Sequence, residues 1–165
     1  NVRGVKEIDR QRELYREALA MLGVRELVAA GPGMAPRPQG RGGLKRWFRR
    51  RGGSQHPADQ MAGLNVLALG DGALWLYRAP KWQGGIPGIE RLVGWWPVST
   101  VTLASTYKEL SSLDYDTGTN YKTKVVRLGI KAEGDDRLTR VDGLQNDQTR
   151  ELVREIKRAT GQRKD

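Results

Sequence analysis

The chain has 165 residues, of which 38% are hydrophobic and 29% charged, and it carries a formal net charge of +10. This length suits one domain with extensions, and the charge predicts an anionic partner such as nucleic acid, acidic lipid or an acidic protein surface. The absence of cysteine excludes disulfides and thiolate metal ligands, and no apolar run approaches the ~20 residues that a membrane-spanning helix needs.

Residues 1–30 are predicted to be a helical segment. Ile8, Tyr15, Leu19 and Leu22 recur at spacings of three, four and seven, which is one face of a helix. Gly23 either breaks this helix or caps its C-terminal end, and VRELVAA (24–30) is compatible with two further turns. We expect this helix to pack on the following domain or to dock on a partner.

Residues 31–60 are predicted to be a Pro/Gly-rich basic linker. Pro32, Pro36 and Pro38 interrupt regular structure. Between residues 37 and 51 there are seven basic residues and no acidic one. Most of the net charge therefore belongs to this segment, and the domain at 61–165 is almost balanced.

The centre of the linker is a basic-aromatic tract with a predicted contact role. Its members are Lys45, Arg46, Trp47, Phe48, Arg49, Arg50 and Arg51. In a helical conformation, Trp47 and Phe48 would share one face with Leu44. Trp and Phe favour a bilayer interface, and each Lys or Arg near an anionic surface contributes about 1 kcal/mol.

The same tract suits two other interpretations. Its cations could neutralise phosphates while an aromatic ring stacks on a base of nucleic acid. It could also be a solvated linker or one that contacts a protein. A protein that reads duplex DNA would normally carry a helix-turn-helix or a basic face on its folded domain, and the sequence shows neither pattern.

Residues 61–165 are predicted to be a β-rich domain that ends in a helix. Asp71 and Gly72 separate NVLALG from ALWLYRA, which is a strong hairpin signal. Further strands are predicted in RLVGWW, STVTLASTY, YKTKVVRLGIKA and RLTRVDGL, and KELSSLDYDTGTN (108–120) is predicted to be a polar connection with a turn at Thr117 and Gly118. A helix starts at Asn146 or Asp147 and ends at Gly161.

The loop at 80–90 is the second candidate contact. Its sequence, PKWQGGIPGIE, is rich in Gly and Pro, and basic residues precede an exposed tip. Arg78, Lys81, Trp82 and Ile86 are predicted to touch a partner or a membrane. The alternative is that the apolar residues fold back over the mouth of the barrel.

Three stretches carry a resemblance to a known superfold: GWWPVSTVTL (94–103), VVRLGIKAEGDDRLTRVDGL (125–144) and NDQTRELVREIKRATG (146–161). Over residues 64–161 the chain resembles the pleckstrin-homology-like superfold, in particular the small bacterial PH-like and GRAM-like domains. The resemblance implies a mainly β fold with α, in which an antiparallel barrel of six to seven strands is capped by a C-terminal helix and preceded by an N-terminal helix.

The resemblance also implies a binding module rather than an enzyme. Lipid-binding members place a basic cluster in the loop between their first two strands. This chain departs from that pattern. Arg78 and Lys81 are followed by Trp82, and Arg91 comes only later. That set is a poor cradle for a phosphoinositide headgroup.

Catalytic, metal and cofactor motifs are absent from the sequence. His56 has no base, nucleophile or ligand partner nearby in sequence, and Asp135 and Asp136 fit a hairpin turn. We therefore expect a non-catalytic adaptor that docks a partner protein, with no small-molecule substrate. It would be cytoplasmic and peripheral on the inner face of a membrane. The alternatives are a nucleic-acid or ribonucleoprotein-associated factor and a structural subunit of a larger assembly.

Overall fold

The computed structural model describes residues 2–36, 55–114 and 117–162, without the side chains of 2–5 and 112–114. Three α-helices lie in this part of the chain: α1 (Val2–Ala20), α2 (Pro57–Gln60) and α3 (Asp147–Ala159). The strands are β1 (Leu27–Met34), β2 (Leu64–Gly70), β3 (Ala73–Arg78), β4 (Lys81–Gln83), β5 (Ile86–Gly88), β6 (Arg91–Pro97), β7 (Val101–Asp114), β8 (Thr119–Ala132) and β9 (Thr139–Leu144), and a short 3-10 helix (Val98–Thr100) precedes β7.

Seven of these strands form one antiparallel sheet that curls into a half-barrel. Its order is β6-β3-β2-β1-β9-β8-β7, and β4 and β5 make a separate small hairpin. The predicted mainly β architecture, with six to seven strands, a C-terminal helix and an N-terminal helix, is confirmed. The two halves of the sheet meet at β1 and β9, which share one register pair, Met34 with Asp142.

Both faces of the sheet are covered. Inside the curl, Leu67 and Leu69 of β2 pack with Leu152 and Ile156 of α3. On the outside, Val66 and Ala68 of β2 pack under α1 with other buried residues, including Tyr15 and Leu19. Strand β2 therefore reads as a continuous apolar run, because alternate side chains enter two different cores.

The prediction of two further helical turns in residues 24–30 is wrong. Helix α1 ends at Ala20, Gly23 has a positive φ of 93°, and the chain then forms β1. This strand pairs with β2 from Leu27–Gly70 to Met34–Leu64, with a shift of register between Leu27 and Ala29. Pro32 is accommodated because the other edge of β1 is paired only at Met34. The sheet therefore begins at Leu27, and the predicted linker range opens with four strand residues.

A glycine is required where β1 approaches β9. A Cβ atom built on Gly33 would lie 2.2 Å from Cγ1 of Val141, far inside van der Waals contact. The glycines that made this stretch look like a linker thus allow the two halves of the sheet to meet.

The polar stretch 108–114 is the other correction, because it belongs to a strand. Strands β7 and β8 pair from Val101–Ala132 to Asp114–Thr119, whereas β9 pairs with β8 only between residues 125 and 130. Beyond that point the two strands project as a ribbon, and residues 119–124 are exposed. A ribbon exposed on both faces has no apolar alternation, so the pattern resembled a loop. The turn at Thr117 and Gly118 is confirmed, with φ +68° at Gly118.

Candidate binding surface at one end of the sheet

Register pairs bring two of the chain's connections to the same end of the sheet. Met34 pairs with Leu64, Asn65 with Arg78, and Arg78 with Arg91. The connection 35–63 between β1 and β2 and the connection 79–90 between β3 and β6 therefore leave from one end. We call this end, with both connections, the loop end.

The basic-aromatic tract lies in the first of these connections along the chain. Its residues, 45–51, fall outside the described residues, so their contact role stays a prediction. The connection leaves and returns at the register pair Met34–Leu64. The tract is therefore an insertion between two neighbouring strands rather than a link between a helix and a barrel.

Helix α2, which follows the tract, is fastened to the β8–β9 turn. Asp59 accepts hydrogen bonds from Nη1 and Nη2 of Arg137 at 2.6 and 2.7 Å. This pairing raises the pKa of Arg137. The bidentate geometry is the strong form of such a contact, and it holds the returning end of the connection against the sheet.

His56 has a partner that the sequence did not reveal. Its Nδ1 accepts from the backbone N–H of Ala58 at 3.1 Å and caps α2. The ring proton is thereby assigned to Nε2, which lies 2.8 Å from Oδ2 of Asp135. The backbone N–H of Arg137 and then this imidazole lower the pKa of the Asp135 carboxyl. His56 and Asp135 are 79 positions apart, so no local spacing predicts their contact.

The second connection is tied to the same helix. Nη2 of Arg91 donates to Oε1 of Gln60 at 2.7 Å. Arg78 pairs with Glu90 at 3.0 Å and also reaches the carbonyl of Gln60 at 3.4 Å. Arg78 is thus engaged within the fold, and its role is to join the two connections.

The hairpin of β4 and β5 presents only part of the predicted contact set. Lys81 is exposed, and 59% of Trp82 is exposed. Ile86 departs from the prediction, because only 7% of it is exposed and it packs in the core under α1. The alternative, in which apolar residues fold back over the mouth of the barrel, does not describe Ile86 either, because this residue packs on the outer face of the sheet. The contact role of Lys81 and Trp82 stays a prediction.

Aromatic side chains continue along the outer face of the neighbouring strands. Trp75 stacks parallel to Tyr77 at a ring-centroid distance of 6.4 Å and meets Trp95 edge-on at 6.1 Å. Trp96 points to the inner core and is 8% exposed, but Trp95 is 51% exposed. These adjacent tryptophans of β6 therefore lie on opposite faces of the sheet.

Two further observations bear on the chemistry of the described residues. Across 2–36, 55–114 and 117–162, no cluster of three or more His, Cys, Asp or Glu side chains could hold a metal ion. Within those ranges, no helix has the length and hydropathy to cross a membrane. No family model, curated protein or solved structure matches the chain.

Proposed function

We propose that the chain is a non-catalytic, cytoplasmic adaptor that docks a partner protein and contacts the acidic inner face of a membrane through the basic-aromatic tract. The observation that carries the proposal is the insertion of this tract between the register neighbours Met34 and Leu64. The connection that contains this cationic segment leaves and returns at one end of the sheet.

The distribution of charge supports a membrane contact at the loop end. The 61–165 region has 16 basic and 13 acidic residues, whereas 37–51 has seven basic and none acidic. Each cation near an anionic leaflet contributes about 1 kcal/mol, and this attraction decays within a Debye length of about 8 Å at physiological salt. Contact through the tract should therefore be reversible and sensitive to salt.

The neighbouring hairpin offers a second, apolar contact. Trp82 is exposed beside Lys81, in a connection that leaves from the same end of the sheet as the connection between β1 and β2. An exposed Trp next to cations suits the headgroup level of a bilayer, where the ring is partly buried and charges remain hydrated.

The resemblance to PH-like domains also supports the proposal once β1 is counted. Its lipid-binding members carry basic residues between their first two strands. Here the first two strands of the sheet are β1 and β2, and the connection between them contains the tract.

Co-sedimentation with vesicles tests the proposal. Vesicles of neutral lipid are compared with vesicles containing about 30% phosphatidylserine, at low salt and at about 0.5 M salt. We expect the wild type to bind only the acidic vesicles, and only at low salt. Trp47→Ala/Phe48→Ala and Arg49→Ala/Arg50→Ala/Arg51→Ala should each lose most of this binding.

The matched control removes three arginines from the exposed stripe of α3, in Arg150→Ala/Arg154→Ala/Arg158→Ala. This variant has the same net charge as the tract triple variant and should keep its vesicle binding. Equal loss in both triple variants would mean that only net charge matters and would overturn the tract as the site. Absence of vesicle binding at low salt, with steeply salt-dependent binding to single-stranded RNA or DNA, would favour the nucleic-acid alternative.

A further inference from the structure

Strand β7 has a free edge on which one position is already occupied by a side-chain amide. Among the described residues, it is the last strand of the sheet and pairs only with β8. At Leu103, the backbone N–H donates to Oε1 of Gln162 at 2.7 Å, and the backbone carbonyl accepts from Nε2 of Gln162 at 2.9 Å. The primary amide of Gln162 thus makes both hydrogen bonds that a neighbouring strand would make there.

The Gln162 contact fixes which groups of β7 face outward. In an antiparallel ladder, residues alternate between facing the partner strand and facing away. The backbone N–H and C=O groups of Leu103 point away from β8. The backbone groups of Ser105, Tyr107 and Glu109 therefore point away from it as well. Within the described part of the chain, no hydrogen bond reaches the outward backbone groups of these three residues. Tyr107 is 66% exposed, so the edge is accessible.

Helix α3 lines this edge with positive charge. Nζ of Lys157 donates to Oγ of Ser105 at 2.9 Å, which places this side of the helix beside β7. Arg154 and Arg150 precede Lys157 at spacings of three and seven and so continue the same stripe. Both arginine side chains are more than half exposed, in ion pairs to Glu155 at 3.9 Å and Asp147 at 2.7 Å. Exposed pairs contribute little and can exchange for other carboxylates.

We infer that the free edge of β7 from Ser105 to Glu109 binds an extended acidic peptide segment of the partner protein, as an added strand. Backbone pairing would supply the attraction, as Gln162 already does at Leu103. Carboxylates on the peptide would face the stripe of Arg150, Arg154 and Lys157. This inference rests on the partner-docking part of the proposed function and names its site and ligand chemistry.

Fluorescence anisotropy with the full chain tests the inference. The probe is a labelled synthetic peptide of alternating Glu and Val, used at low salt. The reference probes are the same peptide with alternate backbone nitrogens methylated and a peptide in which Lys replaces Glu. We expect saturable binding of the first peptide alone, since methylation removes strand pairing and Lys opposes the α3 stripe.

Two protein variants locate the site. Tyr107→Pro deletes an outward N–H without touching the pairing to β8, as proline is tolerated on an edge. Lys157→Glu reverses one charge of the stripe. Each should weaken binding at least about tenfold, which corresponds to about 1.4 kcal/mol. Arg10→Glu makes the same charge change on the exposed face of α1 and should leave the affinity unchanged.

Absence of saturable binding, or equal binding of the methylated peptide, would overturn the inference whatever the variants do. A wild-type dimer that Tyr107→Pro converts to a monomer would instead assign the edge to a second copy of this chain and would also overturn it. Vesicle binding should be the same in Tyr107→Pro and the wild type. Loss of vesicle binding in the tract variants would not affect the β7 edge, so each proposal can fail without the other.

Discussion

Asp71 stabilises the β2–β3 turn through both its backbone conformation and its side chain. It is the one described non-glycine residue with a positive φ, 52°, and Gly72 follows at 70°. Its two carboxylate oxygens accept the backbone N–H groups of Arg25 and Glu26 at 2.9 and 2.8 Å. These hydrogen bonds hold the pKa of Asp71 below its ordinary value of 3.8. One residue thereby forms a hairpin and fixes the start of β1 beside it.

The lowered pKa of Asp71 predicts a specific acid sensitivity. Just below pH 3.8, the unfolded chain binds this proton more readily than the folded chain. The stabilisation is therefore complete above that value and is lost as the pH falls through the folded-state pKa. Asp71→Asn keeps a residue that tolerates positive φ but does not titrate. We expect a lower melting temperature at neutral pH and a shallower decline of the melting temperature as the pH falls below about 4.

Thermal unfolding followed by circular dichroism across this pH range measures the effect. Asp136→Asn, an exposed carboxylate in the β8–β9 turn, is the control and should follow the wild-type curve. An Asp71→Asn curve parallel to the wild type at acid pH would contradict the assigned role of these two hydrogen bonds.

Individual residues also show why sequence predicts some contacts and misses others. The Asp-Gly pair at 71 and 72 encodes its turn locally, because both residues can adopt positive φ. The His56–Asp135 contact depends on how α2 lies against the β8–β9 turn, and no local pattern encodes that. Ile86 appeared to be part of an exposed loop, yet it is buried because α1 crosses over the hairpin.

At the scale of elements, α1 forms part of the hydrophobic core on the outer face of the sheet. Leu19 is fully buried and Met21, two positions later, is 88% exposed. Nη2 of Arg12 in α1 also donates to both carboxylate oxygens of Glu151 in α3, at 2.7 and 2.9 Å. The helix is therefore fixed to the sheet by apolar packing and to α3 by charge.

Truncations at the end of α1 and directly after it should separate the effect of buried packing from that of position in the chain. Leu19→Ala leaves a cavity against Val66 and should lower the free energy of unfolding by about 2–5 kcal/mol. Met21→Ala should change it by less than about 0.5 kcal/mol. Urea denaturation measures both. A small effect at Leu19 would show that α1 detaches without disturbing the sheet.

Strand boundaries were predictable where a strand has one buried face or two covered faces, and not elsewhere. The β2–β3 hairpin was predictable from the apolar runs on either side of Asp71. Strand β1 was not predicted because Gly31, Pro32 and Gly33 are typical of a loop. The requirement for glycine at Gly33 arises only from its contact with β9. The outer half of β7 has no apolar alternation because it leaves the sheet. Its open edge, the candidate peptide site, could not be foreseen without knowing the strand order.

At the scale of the molecule, the sheet consists of two meanders that meet at a single register pair. Strands β1, β2, β3 and β6 form one, β7, β8 and β9 form the other, and α3 packs in the curl between them. Beside the junction, Asp142 is 2% exposed and accepts two hydrogen bonds from Arg127 at 2.8 and 2.9 Å. The loop end and the β7 edge thus belong to different meanders, so the two proposed contacts would not share a strand.

This arrangement predicts that the tract can be removed without loss of the fold. Because Met34 and Leu64 are direct neighbours, the strands β1 and β2 can be joined by a much shorter connection. Replacing residues 38–53 with a flexible Gly-Ser linker of about eight residues should change the free energy of unfolding by less than about 1 kcal/mol, since loop-closure entropy depends weakly on length. Vesicle binding should be lost, whereas binding of the Glu-Val peptide should be retained.

Chemical denaturation, co-sedimentation and anisotropy measure the three properties on one variant. A variant that no longer folds would show that the connection supports the sheet, and one that still binds acidic vesicles would move the membrane contact to the hairpin at Lys81 and Trp82.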